Sequence, residues 1–242
     1  MYSFGSVVRY SECNEHGNMT TPALINYLQD CSTFHSESIG RGVRHLAEHR
    51  IAWFIMAWQI SIDRQPRFCE HIVVSTWCYE LKATSAKRNF TIADEKGDLL
   101  VRADSLWVMV DTQTGKPIRI PQDEHVFVTD EAPLDMPPTR RKLRLEGTGT
   151  PHGPITITEQ HLDSNHHVNN AQYITMADHI VSIVDPDFAP STINVQYRTP
   201  AQLGDTLRPV LHVEDGGYAV DLTDQDGSRF CAVRMVGRGE TQ

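Results

Sequence analysis

Thr20 to Gly40 reads TTPALINYLQDCSTFHSESIG. The stretch predicts a helix: Thr20 or Thr21 offers an N-cap oxygen, Pro22 suits the first turn, and Gly40 lies past the end. Ala23, Tyr27, Cys31 and Phe34 follow at spacings of four, four and three, which makes one apolar stripe. A helix with one stripe needs an apolar partner, and the next segments supply it. AWFIMAWQISI, HIVVSTWCYEL and KRNFTIADEKGDLLVRADSLWVMVD are rich in β-branched and aromatic residues, and EKGD (Glu95–Asp98) joins two alternating runs as a hairpin. DTQTGKPIRIP, Asp111 to Pro121, reads as a turn followed by a short extended segment.

The same order then starts again. Thr129 to Gly153, TDEAPLDMPPTRRKLRLEGTGTPHG, is rich in Pro, Gly and charge and reads as a linker or crossover. Beyond it come a polar loop, a helix from about Asn170 to Val184, the runs STINVQYRT and TLRPVLHVED, and a hairpin turning at DQDG (Asp224–Gly227). Setting Asn18 against His167 (167 − 18 = 149) also aligns Asn14 with Asp163, and an offset of 135 aligns Glu70 with Asp205. A helix followed by antiparallel strands, twice, predicts two α+β units of one kind. The expected division is 1–128, a linker at 129–149, and 150–242.

The 242 residues suffice for one large domain or two small ones, and 40% hydrophobic with 22% charged residues is an ordinary globular balance. No apolar run approaches the ~20 residues of a membrane span. IAWFIMAWQI, from Ile51, reads instead as a buried strand. The five scattered cysteines form no C-x-x-C pair and suit a reducing compartment. A net charge of −9 argues against a general nucleic-acid binder. Nothing at the N-terminus resembles a signal or transit peptide, and the expected location is a bacterial cytoplasm. Trp53, Trp58, Trp77 and Trp107 read as core residues, and His35, His45 and His49 as surface or packing residues.

The polar loop of the second half, HLDSNHHVNN (His161–Asn170), concentrates groups that donate, accept or carry protons just ahead of a helix. Asn169 and Asn170 fit capping and turn chemistry as well as ligand binding. His161, His166, His167 and Asp163 have no metal-ligand spacing, so no metal is expected, and no motif calls for a cofactor.

LDSNHHVNNAQYI resembles the active-site motif of the acyl-acyl-carrier-protein thioesterases, approximately D-x-N-x-H-V-N-N-x-x-Y, through Asp163, Asn165, His167, Val168, Asn169, Asn170 and Tyr173. SLWVMVDTQTGKPIRIP and VQYRT are similar to further family segments. The resemblance implies a double hot-dog fold, in which each half is a long helix wrapped by an antiparallel sheet. It further implies release of fatty acids from acyl-carrier protein in fatty acid biosynthesis. Asp163, Asn165 and His167 would then be the catalytic residues, and Asn169 and Asn170 would bind substrate. There is one departure: plant members carry a Glu-Cys pair after the Tyr-Arg motif, where this chain has Pro200 and Ala201.

On that reading, the start of the second helix stabilises the thioester oxyanion. Asp163 activates water or attacks directly, His167 holds the water or shuttles its proton, and Asn165 orients the reactants. The first-half loop, NEHGNM, has Asn14 and Asn18 at the matching positions, which predicts a non-catalytic half that helps form the acyl-chain cavity. Acyl-CoA as donor, an enoyl-thioester hydratase and a non-catalytic lipid-binding module are the alternatives. The hydratase pattern G-D-x-N-P-x-H fits poorly, because Leu162 precedes Asp163 and no proline intervenes. TRRKLRL (Thr139–Leu145) carries four cations, either as a solvated linker or as a dock for an acidic carrier protein, with Arg64, Arg67, Lys87 and Arg88 as further members if they share its face. The fold admits both a self-contained pseudo-dimer and a homodimer.

Overall fold

The computed structural model describes residues 1–163 and 166–238. The chain divides into two compact units, one ending at Thr139 and the other beginning at Arg140. The division falls inside the Pro/Gly-rich stretch.

The first unit holds β1 (Tyr2–Val7), α1 (Thr21–Ser38), α2 (Val43–His49), β2 (Ile51–Ile62), β3 (His71–Leu81), β4 (Ala86–Asp94) and β5 (Leu99–Asp111). Its sheet runs β1-β3-β4-β5-β2 with every neighbour antiparallel. The Thr20 hydroxyl accepts the Ala23 N–H at 3.4 Å and starts α1, Pro22 sits in the first turn, and Gly40 takes φ 71° past the end. The helix lays Leu24, Ile25, Tyr27, Leu28, Cys31 and His35 against β1 and β3. Its buried stripe therefore differs in phase from the expected one: Phe34 is exposed and packs edge-on against Phe4, while His35 is buried.

The second unit holds β6 (Thr150–Pro151), β7 (Ile155–Thr156), α3 (Asn170–Val184), β8 (Pro190–Tyr197), β9 (Thr206–Glu214), β10 (Gly217–Thr223) and β11 (Arg229–Gly237). Its sheet runs β8-β11-β10-β9-β6, again antiparallel, with β7 also on β9. α3 buries Ala171, Tyr173, Ile174, Met176, Ala177, Ile180 and Val181 and packs on β9, β10 and β11. The fold is α+β, a tandem hot dog in which each half is a long helix against an antiparallel sheet.

The two halves repeat each other bond for bond. The N–H of Asn14 donates to the Asn18 carbonyl at 2.9 Å, and that of Asp163 to the His167 carbonyl at 2.8 Å. Met19 donates to the Pro66 carbonyl at 2.8 Å, and Val168 to the Ala201 carbonyl at 3.0 Å. Val8 donates to Glu70 at 2.9 Å, and Ile157 to Asp205 at 2.8 Å. The β4–β5 and β10–β11 turns are each closed by an aspartate, Asp94 or Asp224, whose Oδ1 accepts two backbone N–H groups.

Residues 129–149 do not form a free linker. In the first unit Trp77 Nε1 donates to the Ala132 carbonyl (3.0 Å), Asn89 Oδ1 accepts the Leu134 N–H (2.9 Å) and Asp104 Oδ2 accepts the Thr139 N–H (2.8 Å). In the second unit buried Gln196 donates to the Arg141 carbonyl and accepts the Leu143 N–H, while Arg229 and Arg234 donate to the carbonyls of Leu143 and Arg144. Each half of the segment is thus a strap tied to the sheet of its own unit. The strap ties account for three of the buried polar side chains, Asn89, Asp104 and Gln196.

Candidate active site

The loop before α3 starts with a short 3-10 turn, Glu159–His161, whose His161 Nδ1 accepts the Thr158 N–H at 3.0 Å. That bond makes His161 a capping residue of the loop. The loop closes by a bridge between Leu162 and Val168, and its crossing point is Asp163. The Asp163 carbonyl accepts the His166 N–H at 3.1 Å, and Oδ1 of the same residue accepts the His167 N–H at 3.4 Å. Asp163 and His167 are therefore brought together, both partly exposed, at the mouth of the loop. Ser164 and Asn165 lie outside the described residues, Asn165 among them as an expected catalytic residue.

His166 holds φ 58°, a left-handed conformation that costs an L-residue about 1–2 kcal/mol. The matching first-half residue is Gly17, φ 74°, which has no such cost. The first loop also has Asn14 in place of Asp163, and Asn14 Oδ1 accepts the N–H groups of His16 (3.1 Å) and Asn18 (3.0 Å). The same closed loop thus forms around an amide in one half and around a carboxylate in the other.

α3 begins at Asn170 with Asn169 as its N-cap, Asn169 Oδ1 accepting the Ala171 N–H at 2.9 Å. The Asn170 carbonyl accepts the Tyr197 hydroxyl at 3.1 Å. Tyr173 Oη accepts the Ala201 N–H at 2.8 Å, and the rings of Tyr173 and Tyr197 meet edge-on at 5.9 Å. Burial pushes both phenols up, so each is a neutral hydroxyl. Ala201 is fully buried and holds Val168 of the loop through its carbonyl and Tyr173 of α3 through its N–H, while Pro200 is exposed. The strand end where the family pattern has Glu-Cys therefore acts here through its backbone. Tyr197 and Ala201 as positioning residues have no sequence signal beyond the Tyr-Arg motif.

Two of the first-unit cations are already engaged within their own unit. Arg88 is buried in the core of the first unit, and Arg64 is paired with Glu70 at 2.5 Å. Arg140, Arg141, Lys142 and Arg144 are exposed along the second strap. In the first unit, His45, Asp123 and Glu124 have ligand atoms within 4.8 Å of one another. Arg41 already lies among them, 2.9 Å from His45 and 2.7 Å from Asp123, so the cation of that cluster is a guanidinium. Among the described residues no helix is long and apolar enough to cross a membrane.

An acyl-carrier-protein hydrolase of Cuphea viscosissima is 27% identical over 181 residues, which are 69% of this chain and 44% of that protein. The chain spans about half the length of the curated relatives it matches. Among solved structures, an acyl-ACP thioesterase from Bacteroides thetaiotaomicron superposes with a TM-score of 0.85 at 23% identity, covering 98% of this chain and 97% of that one. The 12:0-ACP thioesterase from Umbellularia californica gives 0.85 at 22%, covering 98% and 96%. The acyl-ACP thioesterase N-terminal domain matches residues 2–126 and its C-terminal domain residues 153–235. With both domains matched in order over nearly its whole length, the chain belongs to the acyl-ACP thioesterase family.

Proposed function

We propose that this chain hydrolyses fatty acyl-acyl-carrier-protein thioesters to free fatty acid and carrier protein. The observation that carries the reading is the Asp163–His167 loop at the positive end of α3, set beside a first-half loop with matching backbone bonds that has Asn14 and Asn18 at those two positions. Asp163 takes a proton from water as the water oxygen attacks the thioester carbon, or attacks it directly to form an anhydride that water then opens. The helix end stabilises the oxyanion, and the carbonyl re-forms as the C–S bond breaks. His167 carries the proton to the departing thiolate. Asn165 orients water and thioester, and Asn169 and Asn170, at the first turn, fix the substrate. The first unit has asparagines, Asn14 and Asn18, at the positions that match Asp163 and His167, and holds the acyl chain.

The donor is the carrier protein, met by the four exposed cations of the second strap on a chain of net charge −9. The cysteines are all free, which suits a cytoplasmic setting for fatty acid synthesis. The test is hydrolysis of acyl-carrier-protein and acyl-CoA ladders by the parent and by Asp163 and His167 variants. Free-acid release from the carrier ladder, lost in both variants while they stay folded, is expected. An inactive parent, or variants as active as the parent, overturns the reading.

A further inference from the structure

The core of the first unit holds a cation that no carboxylate balances. Arg88 lies on β4, where two-residue alternation puts it in phase with Ala86, Phe90 and Ile92 on the face toward α1. It is 7% exposed. Its Nη1 donates to His35 Nδ1 at 3.0 Å and to Thr76 Oγ1 at 3.3 Å, and its guanidinium carbon stands 5.3 Å from the Phe127 ring centroid. Among the described residues no Asp or Glu pairs with it, whereas Arg64, Arg102, Arg229 and Arg234 each meet a carboxylate.

The neighbours do not supply the missing charge. The Cys31 and Cys78 thiols lie near enough to feel Arg88, but burial pushes both up, Cys31 to about 12, so they are neutral. Burial and the adjacent guanidinium push His35 down to about 4, so it too is neutral and accepts from Arg88. A buried ion of this kind is costly unless paired, and a cation–π contact offsets only part of the cost. Nη1 uses its two hydrogens, while Nε and Nη2 make no hydrogen bond among the described residues. The Nε/Nη2 edge is the fork that receives a carboxylate through two parallel bonds.

We infer that Arg88, held by His35 and Thr76, is the recognition site for an oxygen-bearing group on an acyl chain lodged in the first unit, with a carboxylate remote from the thioester the best match to the free fork. This rests on the proposal that the first unit holds the acyl chain. It makes Arg88 a specificity residue for chains that carry oxygen along or at the end of the alkyl part.

The test has two independent readouts. One is kcat/KM on carrier-protein thioesters of one chain length: unsubstituted, hydroxylated, and ending in a carboxylate. The other is the thermal shift given by dodecanoate and by dodecanedioate, which needs no hydrolysis. Parent, Arg88→Met and Arg88→Lys are compared in both. The expected result is at least a tenfold preference of the parent for an oxygen-bearing chain. Arg88→Met abolishes the preference without a lower melting temperature, since it removes an uncompensated buried charge. Arg88→Lys reduces the preference, having the charge without the fork. Dodecanedioate stabilises the parent more than either variant.

If every thioester resists hydrolysis while the diacid shift still depends on Arg88, the site stands and the hydrolase reading fails. If the chains are hydrolysed but neither preference nor diacid shift depends on Arg88, this inference fails alone. If Arg88→Met does not fold, the Lys comparison decides: an unchanged preference and diacid shift overturn the inference.

Discussion

Replacing Asp163 by asparagine separates scaffold from chemistry, because the protein already contains the control. Asn14 closes the equivalent loop of the first half through Oδ1, accepting two N–H groups at 3.1 and 3.0 Å. Asp163 Oδ1 accepts the His167 N–H at 3.4 Å. An amide oxygen at 163 can make the same bond, so Asp163→Asn should change stability by less than about 1 kcal/mol, whereas Asp163→Ala loses the acceptor and should cost about 1–3 kcal/mol. A positioned acid–base group contributes about 10²- to 10⁴-fold to rate, or roughly 3–5 kcal/mol of barrier. Single-turnover hydrolysis of an acyl-carrier-protein thioester, with melting curves on the same samples, measures both effects. The expected pattern is a native melt and a rate down at least about a hundredfold. Asp163→Asn within tenfold of the parent would refute the role of the carboxylate. Asp163→Asn that melts as low as Asp163→Ala would refute the equivalence of the two loops.

Further expectations concern strain, pH and charge. His166→Gly relieves a left-handed histidine, less the entropy a glycine loses, and should raise stability by up to about 1 kcal/mol, or ~2–4 °C in Tm; a lower melting point would contradict it. His35 is held down to about 4 against an unfolded value of 6.5, so between those pH values the unfolded chain binds the extra proton. Its contribution is complete above pH 6.5, falls as pH drops toward 4, and amounts to no more than about 3 kcal/mol. Denaturant titrations over that window should show a shallower pH slope for His35→Gln than for the parent; equal slopes would remove the assignment. Reversing Arg140, Arg141 and Arg144 to Glu should raise KM for acyl-carrier protein and flatten its salt dependence while leaving acyl-CoA kinetics unchanged. Parallel losses on both donors would point away from the strap.

Much of the frame is legible in the sequence. The long helices, the main strands and the β4–β5 and β10–β11 hairpins follow from period, caps and turn residues. The offsets of 149 and 135 that align the halves reappear as paired hydrogen bonds, Asn14–Asn18 with Asp163–His167 and Val8–Glu70 with Ile157–Asp205. Other parts depend on contacts that no local pattern carries. β1 is a short run that becomes a strand by pairing with β3. α2 is too short to stand on propensity and ends at Arg50, φ 55°. The stretch 129–149 has strap character only through Asn89, Asp104, Gln196, Arg229 and Arg234, which are distant in sequence. Arg88 did leave a trace, since it shares the two-residue phase of Phe90 and Ile92, but a charged residue in a strand reads by default as exposed. At the candidate site, the Asp163–His167 pair was legible as spacing, while the clamping roles of Tyr197 and Ala201 exist only in three dimensions.

The match between the two loops also bears on how such a protein can change over time. The closed turn holds with Asn14, Gly17 and Asn18 in one copy and with Asp163, His166 and His167 in the other, so its backbone does not depend on a carboxylate or an imidazole at those positions. A duplicated ancestor could therefore silence one copy by ordinary point substitutions, with no intermediate that failed to fold.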